Sequence, residues 1–279
     1  MEKVIISVAL TGAQTTKSRA PALPISPEEI AADVVACAKA GAAVCHIHVR
    51  DSEQRGTMDL DIFSKTYHAV KKALDDEGLD IIINLTTSGG PASDQERMAH
   101  LKALRPEMCS YDAGTINWYY DEVFMNTPVF LKELGRCTLA NNIKPEVEVF
   151  DTNMIKNAVR YAKEGLLAEP LYFQFVMGTY GGMDATVENL VTLRSLLPAG
   201  SKFSVSGVGA ASVPMIMTAI AMGADGIRVG LEDNIYMSKG VPATNVLQVE
   251  RAAQLIKLAG KEVATAQEAR EILGILPNH

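Results

Sequence analysis

Paired cysteines are missing from this chain. Only four occur in 279 residues, Cys37, Cys45, Cys109 and Cys137, dispersed and without a Cys-x-x-Cys spacing. That excludes a disulfide scaffold and predicts reduced, mostly buried thiols in a cytosolic protein. Positive charge is in short supply: 26 Lys and Arg face 33 Asp and Glu, for a formal net charge of -7. No basic stripe stands out, so nucleic acid is not expected as a partner. The longest apolar stretches are broken by glycine or polar residues well short of a membrane span, and no membrane role is expected. The first residues, Met-Glu-Lys-Val-Ile-Ile, already read as a strand and lack the pattern of a secretory signal, which places the protein in the cytoplasm. Low-complexity segments, linkers and short repeats are absent too. No phosphate-binding loop pattern stands out.

What is present is hydrophobic residue at 48% and a regular alternation of strand and helix patterns. The length suits one large domain or two small ones, and a barrel-sized domain fits. Strands are predicted at Val4–Leu10, Ala42–His48, Ile81–Leu85, Met108–Tyr111, Glu146–Phe150, Leu171–Val176, Lys202–Ser206 and Gly226–Val229. Helices are predicted between them. The first opens at Pro27 behind an N-cap at Ser26. The others lie near Asp61–Leu74, Asp94–Ala103, Pro128–Leu134, Asn153–Glu164, Thr186–Leu196, Val213–Met222 and Val246–Leu258, with a last one near Ala266–Leu273. Eight such units predict an α/β protein, a (β/α)₈ TIM barrel. Residues 1–279 then form a single domain with a short C-terminal helical extension. A doubly wound open sheet is the alternative. A barrel puts the active site where its strands end and the following loops begin.

Polar residues gather at those ends. His46-Ile47-His48 closes the second strand, and strand periodicity points both imidazoles to one side. Two neutral imidazoles so spaced suit one metal ion, with Zn–N distances of about 2.0–2.1 Å. Cys45 faces the other way. The bland alternative is a pair of hydrogen-bonded histidines. The third strand runs into Thr86-Thr87-Ser88-Gly89-Gly90, the fourth ends near Ser110, and the fifth carries Glu146 and Glu148 on one face. The seventh leads into Gly207-Val208-Gly209, and the eighth gives Arg228 and then Glu232-Asp233. Each has a plain structural alternative: carboxylates satisfied by Arg or Lys, β-forming threonines, turn glycines, and an Arg228 paired with Asp225 or Glu232. A carboxylate opposite two imidazoles completes a His/His/Glu set, used by catalytic zinc sites that keep a position open. Asp233 beside Arg228 is then a candidate general base.

At these residues the chain resembles the β-keto acid cleavage enzymes, whose best described branch is 3-keto-5-aminohexanoate cleavage enzyme of lysine fermentation. The segments are Leu10-Thr11-Gly12-Ala13, Cys45-His46-Ile47-His48-Val49-Arg50, Pro145-Glu146-Val147-Glu148-Val149-Phe150, Phe173-Gln174-Phe175-Val176-Met177-Gly178 and Arg228-Val229-Gly230-Leu231-Glu232-Asp233-Asn234. Together they are specific; His-x-His alone is not. The resemblance implies a zinc-dependent barrel, one Zn²⁺ per subunit, that condenses a β-keto acid with acetyl-CoA. The products are acetoacetate and a new acyl-CoA. It also implies a homo-oligomer, a tetramer in this family. By position, His46, His48 and Glu232 match the zinc ligands, and Asp233 and Arg228 the catalytic pair. Thr86, Gly89, Ser110 and Glu148 fall at substrate-pocket positions. Gln14 departs from the pattern: the aminohexanoate branch has a glutamate there, suited to a substrate ammonium. A neutral amide removes that charge partner, so the expectation is a β-keto acid with a non-cationic tail, with the 5-amino acid still in range.

Two enzyme classes compete. A metal-dependent hydrolase also uses His-x-His in a barrel, but it needs further histidine ligands. His68, His100 and His279 lie away from the predicted strand ends. A metal aldolase would cleave a hydroxy acid without CoA. A non-catalytic protein, with a zinc that only staples the barrel, is the third alternative. A structural site of that kind is closed by protein ligands.

Overall fold

A computed structural model describes residues 1–118 and 121–275; His279 lies outside the described residues. Eight parallel strands close on themselves. In chain order they are Lys3–Ala9, Val44–Ile47, Ile82–Leu85, Met108–Asp112, Lys144–Val149, Tyr172–Met177, Lys202–Gly207 and Gly226–Val229. Each pairs with the next, and the eighth pairs with the first, Ser7 beside Arg228 and Val8 beside Val229. The fold is a (β/α)₈ barrel, and the open sheet is excluded by that last pairing. Helices α1 (Pro27–Ala40), α2 (Leu60–Glu77), α3 (Glu96–Leu104), α4 (Pro128–Ala140), α5 (Thr152–Lys163), α6 (Val187–Ser195), α7 (Ser212–Ala221) and α8 (Asn245–Leu258) wrap it. Among the described residues no helix is long and apolar enough to cross a membrane.

Local chemistry sets the helix starts. Ser26 accepts from the Glu29 backbone N–H while Glu29 reaches back to the Ser26 N–H, a capping box behind Pro27. Such a cap contributes about 1 kcal/mol. Asp59, Thr127, Asp151, Thr186 and Thr244 cap α2, α4, α5, α6 and α8, each by its side chain accepting from a first-turn N–H. α4 runs six residues past its predicted end. Gly135, inside the helix, is a packing requirement: a Cβ there would lie 2.6 Å from the Leu166 carbonyl oxygen.

The barrel has two apolar regions. Outward-facing residues such as Cys45, Ile47, Val147 and Val149 pack against the helices. All four cysteines are buried and free. At the lower opening Ile5, Val44, Ile82, Met108 and Tyr172 meet Ala269 and Leu273 of α9 (Ala266–Leu273), which seals that end. Three hairpins escaped the sequence reading. Val49–Arg50 pairs with Gly56–Thr57, Ile116–Trp118 with Glu122–Phe124, and Tyr236–Ser238 with Val241–Pro242. Each strand has only two or three residues, too few to show a period.

One glycine at the upper rim is sterically fixed. Gly230 has φ +136°, and a Cβ there would sit 2.1 Å from the Ala9 carbonyl oxygen. Gly230→Ala should therefore destabilise the fold by about 1–3 kcal/mol from backbone strain alone. Thermal unfolding measures this, and an unchanged midpoint would refute it.

Candidate active site

The eighth strand delivers Arg228 to the barrel interior, where it is buried among acids. Its Nε and Nη2 donate to the two oxygens of Asp233 at 2.8 and 3.0 Å, a two-point fork. Nη2 also reaches Glu232 Oε1 at 2.7 Å, and Nη1 reaches Glu148 Oε1 at 3.0 Å. Asp225 is not a partner; it pairs with Lys202. One guanidinium thus faces three carboxyl groups, and its own charge is strongly held by them. Burial raises the Asp233 and Glu148 carboxyls, with Arg228 opposing. A raised carboxyl is a stronger base once ionised, as proton abstraction requires.

Glu232 behaves differently. Burial is its largest influence and would raise it, yet His48, Arg228 and His46 together hold it well below the ordinary carboxylate range. It is therefore ionised. Its Oε1 lies 3.8 Å from His46 Nε2 and 3.5 Å from His48 Nε2. The two rings meet edge to face with centroids 5.0 Å apart. Burial drives His46 down to about 3, so its imidazole is neutral. Gly12 makes room for Glu232: a Cβ at residue 12 would lie 2.6 Å from Glu232 Cγ. The loop carrying Gly12 is pinned by Arg50, which donates to the carbonyls of Thr11, Gly12 and Thr15.

These three side chains fit a divalent cation. Their ligand atoms lie within 4.8 Å of one another. Glu232 Oε2 is buried without a partner, and a buried carboxylate oxygen without one is costly. Ligands must be deprotonated to bind, and neutral His46 and ionised Glu232 meet that condition. A second set, His46 with Glu146 and Glu148, is equally compact. It fits less well, because burial raises both carboxyls, Glu146 to about 7.

Above the cluster opens a cavity of about 720 Å³ lined by His46, His48, Glu148, Arg228, Glu232, Asp233 and Gln14, among others. Phe124, Phe150, Trp118 and Tyr180 supply aromatic walls, and the last two of the three hairpins contribute. Gln14 is exposed at the rim. Three predicted pocket residues lie one step back. Ser110 is buried and accepts from the Thr87 N–H at 3.0 Å. Thr86 is buried and accepts from the Ser88 N–H at 3.0 Å. Gly89 packs on Arg97, where a Cβ would come within 2.6 Å of Cγ. They shape the loop whose Ser88 and Gly90 line the cavity. Gly209 also lines it and donates its N–H to the Asp233 carbonyl.

Asp112 escaped the sequence reading. It ends the fourth strand, is buried, lines the cavity and accepts from Ser88 Oγ at 2.9 Å. Its register neighbour is Glu148. Strand alternation from Ser110 was the signal that could have found it.

Residues 3–275 match the family model described as beta-keto acid cleavage enzyme. The chain belongs to the β-keto acid cleavage enzyme family. It is accordingly an enzyme of β-keto acid cleavage, and the hydrolase and aldolase alternatives are not favoured. It is 42% identical to a 3-keto-5-aminohexanoate cleavage enzyme from Acetoanaerobium sticklandii, over 99% of both chains. A 3-oxoadipate:acetyl-CoA acetyltransferase from Cupriavidus necator is 34% identical, over 97% of this chain and 94% of that one. Among solved structures, ObcA in ternary complex with a C4-CoA adduct and oxalate superposes with TM-score 0.78 at 25% identity. The match covers 91% of this chain and 68% of that one.

Proposed function

We propose that this enzyme converts a short β-keto acid and acetyl-CoA into acetoacetate and a new acyl-CoA, with zinc held by His46, His48 and Glu232. The observation that carries this is the meeting of that ligand set with the Arg228–Asp233 fork at one cavity. The Cupriavidus relative, named for acetyl transfer from acetyl-CoA, supports the co-substrate. When bound, zinc supplies Lewis-acid polarisation of the keto group.

The chain's own groups supply the rest. Asp233, held by Arg228, takes a proton from C2 of the β-keto acid. C2 then forms a bond to the acetyl carbonyl carbon as the C–S bond breaks and CoA leaves as thiolate. The thiolate adds to the C3 keto carbon. The C2–C3 bond breaks, the acyl-CoA departs, and the acetoacetate enolate recovers its proton from Asp233. Atoms and charge balance without a redox cofactor. The backbone of the loop at Ser88–Gly90, braced by Thr86, Gly89 and Ser110, holds the substrate carboxylate through N–H and hydroxyl groups. Arg228 also keeps Glu148 in place against the substrate.

The tail is read at the cavity rim, where Gln14 favours a non-cationic tail with 3-keto-5-aminohexanoate still in range; Asp112 stands beside Ser88 of the carboxylate-holding loop. The family resemblance supports a cytoplasmic homotetramer in amino acid catabolism, lysine fermentation included.

The test is a panel of β-keto acids with cationic, neutral and anionic tails, following acetoacetate with and without acetyl-CoA. Turnover that ignores acetyl-CoA would overturn the proposal. On the same panel Gln14→Glu should shift preference toward amino-bearing acids. If it does not change the ranking, the tail is not read by Gln14.

A further inference from the structure

His46 needs a defined tautomer to act as a ligand. If Nε2 takes the metal, Nδ1 must carry the proton, and a buried N–H requires an acceptor. His46 Nδ1 is buried with no partner in the structure. Its in-register neighbour on the third strand is Asn84, which is completely buried. The Asn84 donor arm is already used: Nδ2 donates to Glu146 Oε2 at 2.7 Å. That leaves Asn84 Oδ1, an acceptor that is also buried and unpartnered. Two complementary orphan atoms therefore sit on adjacent residues of paired strands. Asn84 cannot rotate to offer its amine to His46 without giving up the bond to Glu146.

We infer that Asn84, held in place by Glu146, is the positioning residue for His46: Nδ1–H donates to Asn84 Oδ1, which turns Nε2 toward the metal. This rests on the assignment of His46 as a ligand. It gives a purpose to the amide and the carboxyl beneath the site, neither of which the reaction itself uses. Glu146 acts through Asn84, and any acceptor of its shape serves. Outer partners of metal-bound histidines are worth about 10–100-fold in metal affinity.

The experiment measures zinc affinity by chelator competition in the wild-type protein and in Asn84→Ala, Glu146→Gln and Glu146→Leu. The absorption of the cobalt-substituted forms and the ¹⁵N tautomer signals of His46 in metal-free protein are recorded alongside. Asn84→Ala should weaken zinc by about 10–100-fold, alter the cobalt spectrum and mix the His46 tautomers. Glu146→Gln, which still accepts from Asn84 Nδ2, should bind within about threefold of wild type, well inside the loss expected for a missing outer partner. Glu146→Leu should follow Asn84→Ala. Equal affinity and unchanged tautomers in Asn84→Ala overturn the inference, as does Glu146→Gln failing as badly as Glu146→Leu. If Asn84→Ala does not fold, the Glu146 pair decides. A wild-type protein that binds no zinc would instead overturn the ligand assignment.

Discussion

Asp233→Asn is expected to keep its metal and lose turnover by about 10²–10⁴-fold, the range that one positioned acid–base group contributes. The substitution preserves size, and Glu232, the adjacent proposed ligand, is untouched. What changes is chemistry at two points. An amide cannot take the C2 proton. It also presents a donor where Arg228 now offers two, at 2.8 and 3.0 Å from the carboxylate oxygens. One arm of the fork must break, so a small loss of thermal stability should accompany the kinetic loss. Steady-state kcat with elemental analysis separates the effects. Undiminished kcat would remove Asp233 from the proton-transfer role.

Replacing His46 and His48 together with alanine should abolish both metal content and acetoacetate formation. Only Glu232 remains of the ligand set, and one carboxylate among Arg228 and neutral groups does not make a divalent site. Without a bound cation the buried acids keep only Arg228 as a positive partner, and Glu148 and Asp233 should protonate more readily. A linked measurement uses stability. A ligand present at a thousandfold its Kd stabilises the native state by about 4 kcal/mol. Chelator should therefore lower the unfolding temperature of the wild-type protein and leave that of the double variant unmoved. Full metal occupancy in the double variant would overturn the ligand assignment.

The cost of the site explains its shape. A lone buried carboxylate neutralises itself by binding a proton. Glu232 escapes this because Arg228 and two imidazoles surround it. Glu146, in the same barrel interior with only Asn84 bonded to it, does not escape. The same residue type in the same barrel is thus held low in one place, on the turn after the eighth strand, and pushed up in the other, within the fifth strand.

The alternation of eight strands with helices was legible because apolar strands and capped helices are local patterns, and Ser26 with Pro27 shows how local. His46 and His48 were legible as a pair because strand period alone puts them on one side. Glu232 as their third partner was legible only from the His/His/Glu combination and the family resemblance, not from spacing: 184 positions separate it from His48, and only closure of the eighth strand onto the first brings them together. The departure of Asp225 from Arg228 was likewise invisible, since both candidates lie within four residues of it and only side-chain direction separates them. Asp112 was within reach of strand alternation, but the hairpins that complete the cavity come from segments too short to carry a period. Sequence therefore determined the barrel and the residue types at its mouth. Tertiary structure decided which acid stays charged, because that depends on which hydrogen-bond partners and charges surround it once water is gone.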